Sequence, residues 1–158
     1  MLKAVIVAVF TCGLNAQTLR VMNAGAAPGE TASVEIFLES TETARPAALE
    51  WTMVVPTKAQ GVEIKAPVIG AAAKDSGKLF ACSGHWKKAP SLYAYHCIVA
   101  GGNKVLLDGP MAVVELKILP QAKPGVHSLE IEGVKAVNAS AAPVRMKSVS
   151  GQLAVRGR

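Results

Sequence analysis

Four residues have the types that could hold a metal or run redox chemistry: Cys82 and His85, then the adjacent pair His96 and Cys97. Two thiolates and two imidazoles are a zinc donor set. The spacing works against zinc. Neighbours on a strand point to opposite faces, so His96 and Cys97 cannot readily converge on one ion. The other chemistry open to the pair is a disulfide. Residues 78–84 and 92–101 both read as strands, joined by the polar segment 85–91, and an antiparallel hairpin sets Cys82 beside Cys97. The bridge closes a loop of about fifteen residues, worth about 3 kcal/mol by loop entropy. The sequence has three cysteines; removal of a leader carrying Cys12 would leave two, Cys82 and Cys97, and an even count in an exported chain favours their pairing over metal or free thiols. No metal and no cofactor are expected.

Catalytic constellations are weak by comparison. Ser83 and Ser91 lie near His85 and His96, but no Gly-x-Ser-x-Gly elbow frames either serine. Glu35, Glu39, Glu130 and Glu132 alternate with apolar residues, which describes a solvated sheet face and not an acid pair in a cleft. Asp75 and Asp108 sit in turns, and no Asp-x-Asp-x-Asp-Gly calcium loop occurs. An enzyme is not expected.

Recognition has better candidates. Trp86 stands between His85 and Lys87-Lys88 in the segment read as a loop, and Tyr93 and Tyr95 share a face with Cys97. Trp86, Lys87, Lys88, Tyr93 and Tyr95 are therefore the expected contact residues. A tryptophan in a loop serves as a binding anchor or folds back to cap the sandwich, and both readings stand. The formal charge is +6, yet basic residues are scattered and aromatics make up 4% of the chain. A nucleic-acid groove wants a basic stripe with interleaved aromatics, so nucleic acid is excluded as a partner.

These residues need a scaffold, and alternation supplies it. Val34, Ile36 and Leu38 alternate with Glu35 and Phe37; Val114, Leu116 and Ile118 with Glu115 and Lys117; Leu129 and Ile131 with Glu130 and Glu132. Period-two patterning between Pro and Gly turns means half-buried antiparallel strands. Nine strands are predicted: 18–23, 32–40, 48–55, 62–68, 78–83, 92–100, 111–119, 126–136 and 144–155, the last open to splitting. Trp51 shares parity with Leu49 and Met53 and belongs to the core. After Ile131 the apolar parity flips across Gly133, which predicts a bulge or crossover there. Ala71-Ala72-Ala73 allows one helical turn. The fold class is all-β, a jelly-roll sandwich of nine strands.

Residues 1–16 read as a signal peptide: Lys3, then an apolar run from Ala4 to Phe10, then Leu14-Asn15-Ala16. The run is too short to span a bilayer, and no later stretch is long enough. A buried first strand is the competing reading. Acylation at Cys12 fits poorly behind Thr11. Residues 17–158 form one domain, placed outside the cytoplasm: secreted, periplasmic or at the cell surface.

Ala27-Pro28-Gly29-Glu30-Thr31-Ala32-Ser33-Val34-Glu35-Ile36 resembles the first long strand of cohesin modules. Gly109-Pro110-Met111-Ala112-Val113-Val114-Glu115-Leu116-Lys117-Ile118 resembles a later cohesin strand. Pro124 to Leu129, running on to Asn138, and Gly151-Gln152-Leu153-Ala154-Val155 resemble the closing ones. The order of the segments carries the resemblance. It implies a nine-stranded sandwich that binds dockerins, which fold around calcium, through one sheet face and its loops. The paired cysteines depart from the family's usual pattern. The expected function is binding of another secreted or surface protein, dockerin-bearing if the resemblance holds. The runner-up is polysaccharide binding through Trp86, Tyr93 and Tyr95. A third reading is a structural subunit that assembles through an edge strand.

Overall fold

The computed structural model describes residues 17–41, 43–88 and 91–157. The signal-peptide expectation for residues 1–16 lies outside them. The elements run β1 (Gln17–Val21), β2 (Ala24–Ala26), β3 (Thr31–Glu39), β4 (Ala48–Pro56), a 3-10 turn (Lys58–Gln60), β5 (Val62–Ile64), β6 (Val68–Ile69) and α1 (Ala71–Asp75). They continue with β7 (Leu79–Lys88), β8 (Leu92–Ala100), β9 (Gly109–Ile118), β10 (Gly125–Val137), β11 (Pro143–Val144), β12 (Met146–Val149) and β13 (Gly151–Val155). One sheet has the order β12-β1-β3-β9-β5, with β6 also on β9. The other has the order β2-β13-β10-β4-β8-β7, with β11 also on β10. Among the described residues no helix is long and apolar enough to cross a membrane.

The two sheets meet on the residues that alternation marks. Val34, Ile36, Leu38, Leu49, Trp51, Met53, Leu116, Ile118, Leu129 and Leu153 are all buried. Each such side chain removed from water contributes about 1.5–3 kcal/mol, which is why a sandwich needs both inner faces apolar. Leu19, Val21, Met111 and Val99 join this core.

Three predicted strands are divided. The first splits at Met22-Asn23, so that β1 lies in one sheet and β2 in the other. The last splits likewise: β12 pairs parallel with β1, and β13 pairs parallel with β2. Side chains hold these crossings. Asn23 Oδ1 accepts from the Gln152 amide at 2.9 Å, and Ser150 Oγ accepts from the Ile131 amide at 3.1 Å. The fourth predicted strand splits into β5 and β6, both on β9.

The parity flip is real. Pairing of β10 with β4 shifts between Glu132 and Lys135, with Gly133 at φ +61° inside the bulge. A side chain at Gly133 would be strained in that left-handed conformation. The Ala71 segment forms the five-residue α1. Behind it Lys78 is buried, and Nζ donates to the carbonyls of Gly101, at 2.9 Å, and Lys104. Burial pulls its pKa below the usual lysine value. Ser76 Oγ accepts from the Leu107 amide at 3.0 Å, so the loop between β8 and β9 is tied at both ends.

Candidate functional site

The β7–β8 hairpin is longer than its sequence suggests. Strand β7 runs on to Lys88, and its partner begins at Leu92. Trp86 is therefore on a strand, directly opposite Tyr93, and not in a loop. Gly84, the paired lysines and Pro90 resemble loop chemistry, but cross-strand aromatic packing keeps the ladder going.

Cys82 and Cys97 are opposite each other and joined by a disulfide, with Cα atoms 4.1 Å apart. Both thiols are thus taken out of any zinc site. The histidines are on the other face. His85 pairs with Ala94 and His96 with Ser83, alternating with the inward Cys82 and Cys97. Among the described residues no three His, Cys, Asp or Glu side chains gather closely enough to hold a metal.

Ser83 and His96 are cross-strand neighbours, which invites a test for nucleophilic chemistry. Thr52 Oγ1 occupies His96 Nδ1 at 3.2 Å. The nearby carboxylate, Glu50, is held by Lys135 at 2.8 Å, and that hydrogen bond keeps it below its ordinary pKa. Among the described residues no carboxylate hydrogen-bonds the imidazole, and the residues lie on an open sheet face. The arrangement lacks the third member that a triad needs.

The aromatic residues do come together. Trp86 and Tyr93 have ring centroids 4.9 Å apart with planes at 87°, and Tyr93 and Tyr95 are 5.1 Å apart at 65°. Edge-to-face contacts of this kind stabilise by about 0.5–1.5 kcal/mol beyond area burial. The row forms one wall of a groove of about 440 Å³. The opposite wall is made by Val62 and Ile64 of β5, in the other sheet, and by Thr57 and Ala59 of the connection from β4 to β5. At the rim Lys58 bonds Glu63 at 3.0 Å, which holds the Glu63 carboxyl below its usual range. Burial, reinforced by Tyr93, pushes the Tyr95 phenol upward. Trp86 is 58% exposed, an unusual position for the largest apolar side chain on the hairpin.

Lys87 is placed apart from this row. It sits on the outer face of the sheet, ion-paired with Glu132. Successive strand residues diverge, so Trp86 and Lys87 serve different faces. The Lys88 side chain lies outside the described residues.

Gly84 shapes the row. A Cβ there would overlap the Tyr93 ring, which lies across the glycine backbone. Gly84→Ala should push that ring away, cost about 1–3 kcal/mol by overpacking, and change the near-ultraviolet circular dichroism. An unaltered spectrum would show that the ring does not rest on Gly84.

No family model matches the sequence, and no curated protein gives a significant match. Solved structures are similar over nearly the whole chain. One is a non-cellulosomal cohesin from the hyperthermophilic archaeon Archaeoglobus fulgidus: TM-score 0.68, 15% identity, 90% of this chain and 92% of that one. A chain of a type I cohesin–dockerin complex from Clostridium thermocellum gives 0.72 at 13% identity, covering 90% and 100%. The sixth cohesin of Acetivibrio cellulolyticus scaffoldin B, solved with a Cel5 dockerin, gives 0.72 at 15% identity, covering 89% and 99%. The two-sheet sandwich described above is the cohesin fold.

Proposed function

We propose that residues 17–158 are an exported, non-catalytic, cohesin-like module that binds another secreted or surface protein, a dockerin-bearing one first among them. The observation that carries this reading is Trp86, exposed yet braced edge-on by Tyr93 at the mouth of an apolar groove. A rigid aromatic beside a pocket is the usual anchor of a protein interface, and its loss typically costs 2 kcal/mol or more. Tyr93 and Tyr95 back it, Lys88 follows two residues on in the sequence, and Lys87 borders the adjoining outer face. Two features support export: the leader-like residues 1–16, and a disulfide of the sort that persists outside reducing compartments. The steep angles between the rings favour a protein partner over a polysaccharide, since stacking on sugars calls for flat, open ring faces.

The test is capture. Immobilised, oxidised protein is exposed to purified dockerin modules and to the source organism's secreted proteins, first with calcium and then with chelator. A dockerin-bearing protein released by chelator is the expected result. Trp86→Ala should weaken that capture about thirtyfold, the equivalent of 2 kcal/mol. Full capture by a folded Trp86→Ala protein would remove this site. Capture indifferent to chelator would remove the dockerin assignment and keep protein binding. Retention on an insoluble polysaccharide, lost with Trp86 or Tyr93, would replace the proposal with carbohydrate recognition.

A further inference from the structure

Strand β7 is the last strand of its sheet, and it is ten residues long. Its register decides which backbone groups face outward. Cys82 stands opposite Cys97 at the short 4.1 Å Cα spacing of a pair that exchanges no hydrogen bonds. Ala81, Ser83 and His85 therefore bond to β8. The N–H and C=O groups of Phe80, Cys82, Gly84 and Trp86 point away from it. None of them enters the backbone hydrogen bonds of turns and loops among the described residues.

Edge strands are normally guarded by charge, proline or a bulge. From Leu79 to Trp86 there is no Asp, Glu, Lys, Arg or Pro. The guards lie only at one end: Lys87, Lys88 and a register shift between Trp86 and Lys88. Leu79 is 78% exposed and Trp86 58%, near opposite ends of the strand.

We propose that β7 pairs antiparallel with β7 of a second copy, about a twofold axis at Ser83, joining two sheets into one. In this register Cys82 pairs with Gly84 and Phe80 with Trp86, giving about eight backbone hydrogen bonds across the axis. Phe80 meets Trp86 as a cross-strand aromatic pair. Leu79 stands opposite Lys87. Sliding the strands by two residues sets Phe80 against Gly84 or Lys88 and forfeits the aromatic pair.

Charge selects the same orientation. Antiparallel pairing separates Lys87 from the second copy's Lys87 by eight residues, about 27 Å. That is well beyond the screening length of about 8 Å in physiological salt. A parallel pair would stack lysine on lysine. The sequence of β7 is thus complementary to itself, and this favours a second copy over a foreign strand. The inference stands on the strand edge alone and does not depend on the partner proposed above.

The experiment is a concentration series of the oxidised protein by light scattering, without any partner. The mean mass should climb from one copy toward two. Ser83→Lys sets two ammonium groups face to face on the axis and should hold the mass at one copy, with the thermal midpoint unchanged. Ser83→Cys should cross-link to a covalent dimer under mild oxidation. Ala81→Cys, placed opposite His85, should not. A mass of one copy at every concentration overturns the proposal, as does a dimer that survives Ser83→Lys. Equal cross-linking of the two cysteine variants overturns the register and the proposal with it. Protection of β7 amides that appears only when a secreted protein is added would assign the edge to that protein instead.

Discussion

Trp51→Ala is expected to destabilise the protein by about 3–5 kcal/mol, the range for removing a fully buried aromatic. Trp51 is 0% exposed and stands at the centre of β4, between β10 and β8. It lies opposite Cys97 in the ladder and 6.4 Å from the Phe80 ring. Strands on both sides fix the backbone there, so the sheets cannot close over the cavity. A domain with about 5–15 kcal/mol in total would lose a large share of it. The indole Nε1 is buried without a hydrogen-bond partner among the described residues. An unmet donor costs about 1–3 kcal/mol, and Trp51→Phe removes it along with some volume. Trp51→Phe should therefore cost less than half of what Trp51→Ala does. Guanidinium titration of both variants provides the measurement. A Trp51→Ala loss below about 1 kcal/mol would mean that the site collapses freely, contrary to the rigid two-sheet packing argued here.

Loss of the disulfide is the second large effect. Cys82 and Cys97 are separated by 15 residues. Opening a loop of that size returns about 3 kcal/mol of entropy to the unfolded chain. For a domain near this length that corresponds to a fall in Tm of about 10 °C. The double variant Cys82→Ala with Cys97→Ala should show that fall, and reductant should produce it in the native protein. Reductant should leave the double variant unmoved. Because Cys97 is buried, part of the loss in the double variant comes from packing, and the reductant experiment separates the two contributions. A reduced native protein that melts at the oxidised temperature would sink the entropic account.

Much of this architecture is readable from residue order, because alternation is a local signal. The inward residues of β3, β4, β9 and β13 follow from parity alone, and so does the bulge at Gly133. Trp86 reads as a loop residue in the sequence for a physical reason. What holds it on a strand is Tyr93, and that contact exists only once a pairing register is chosen. The groove is invisible for a similar reason. Its far wall, Val62 and Ile64, belongs to the other sheet, and nothing local to the hairpin announces it. The ion pair of Lys87 with Glu132 spans 45 residues and three strands away from the edge, so adjacent lysines in the sequence did not show where their charges go. The sheet switching of the first and last strands rests on Asn23 and Ser150, ordinary polar residues until their partners are known.

That switching also sets the order of events in folding. The first strand needs the last: β1 lies between β3 and β12, and among the described residues β2 has β13 alone as its ladder partner. Pairings between opposite ends of a chain demand closure of the largest loops available, and they are reached late and slowly. A nascent chain can assemble the hairpin of β7 and β8 and the β3–β9 ladder while it lengthens. It cannot complete either sheet until residues 146–155 have emerged. Until then the outer edge of β1 stays open, an unpaired strand edge exposed to other chains.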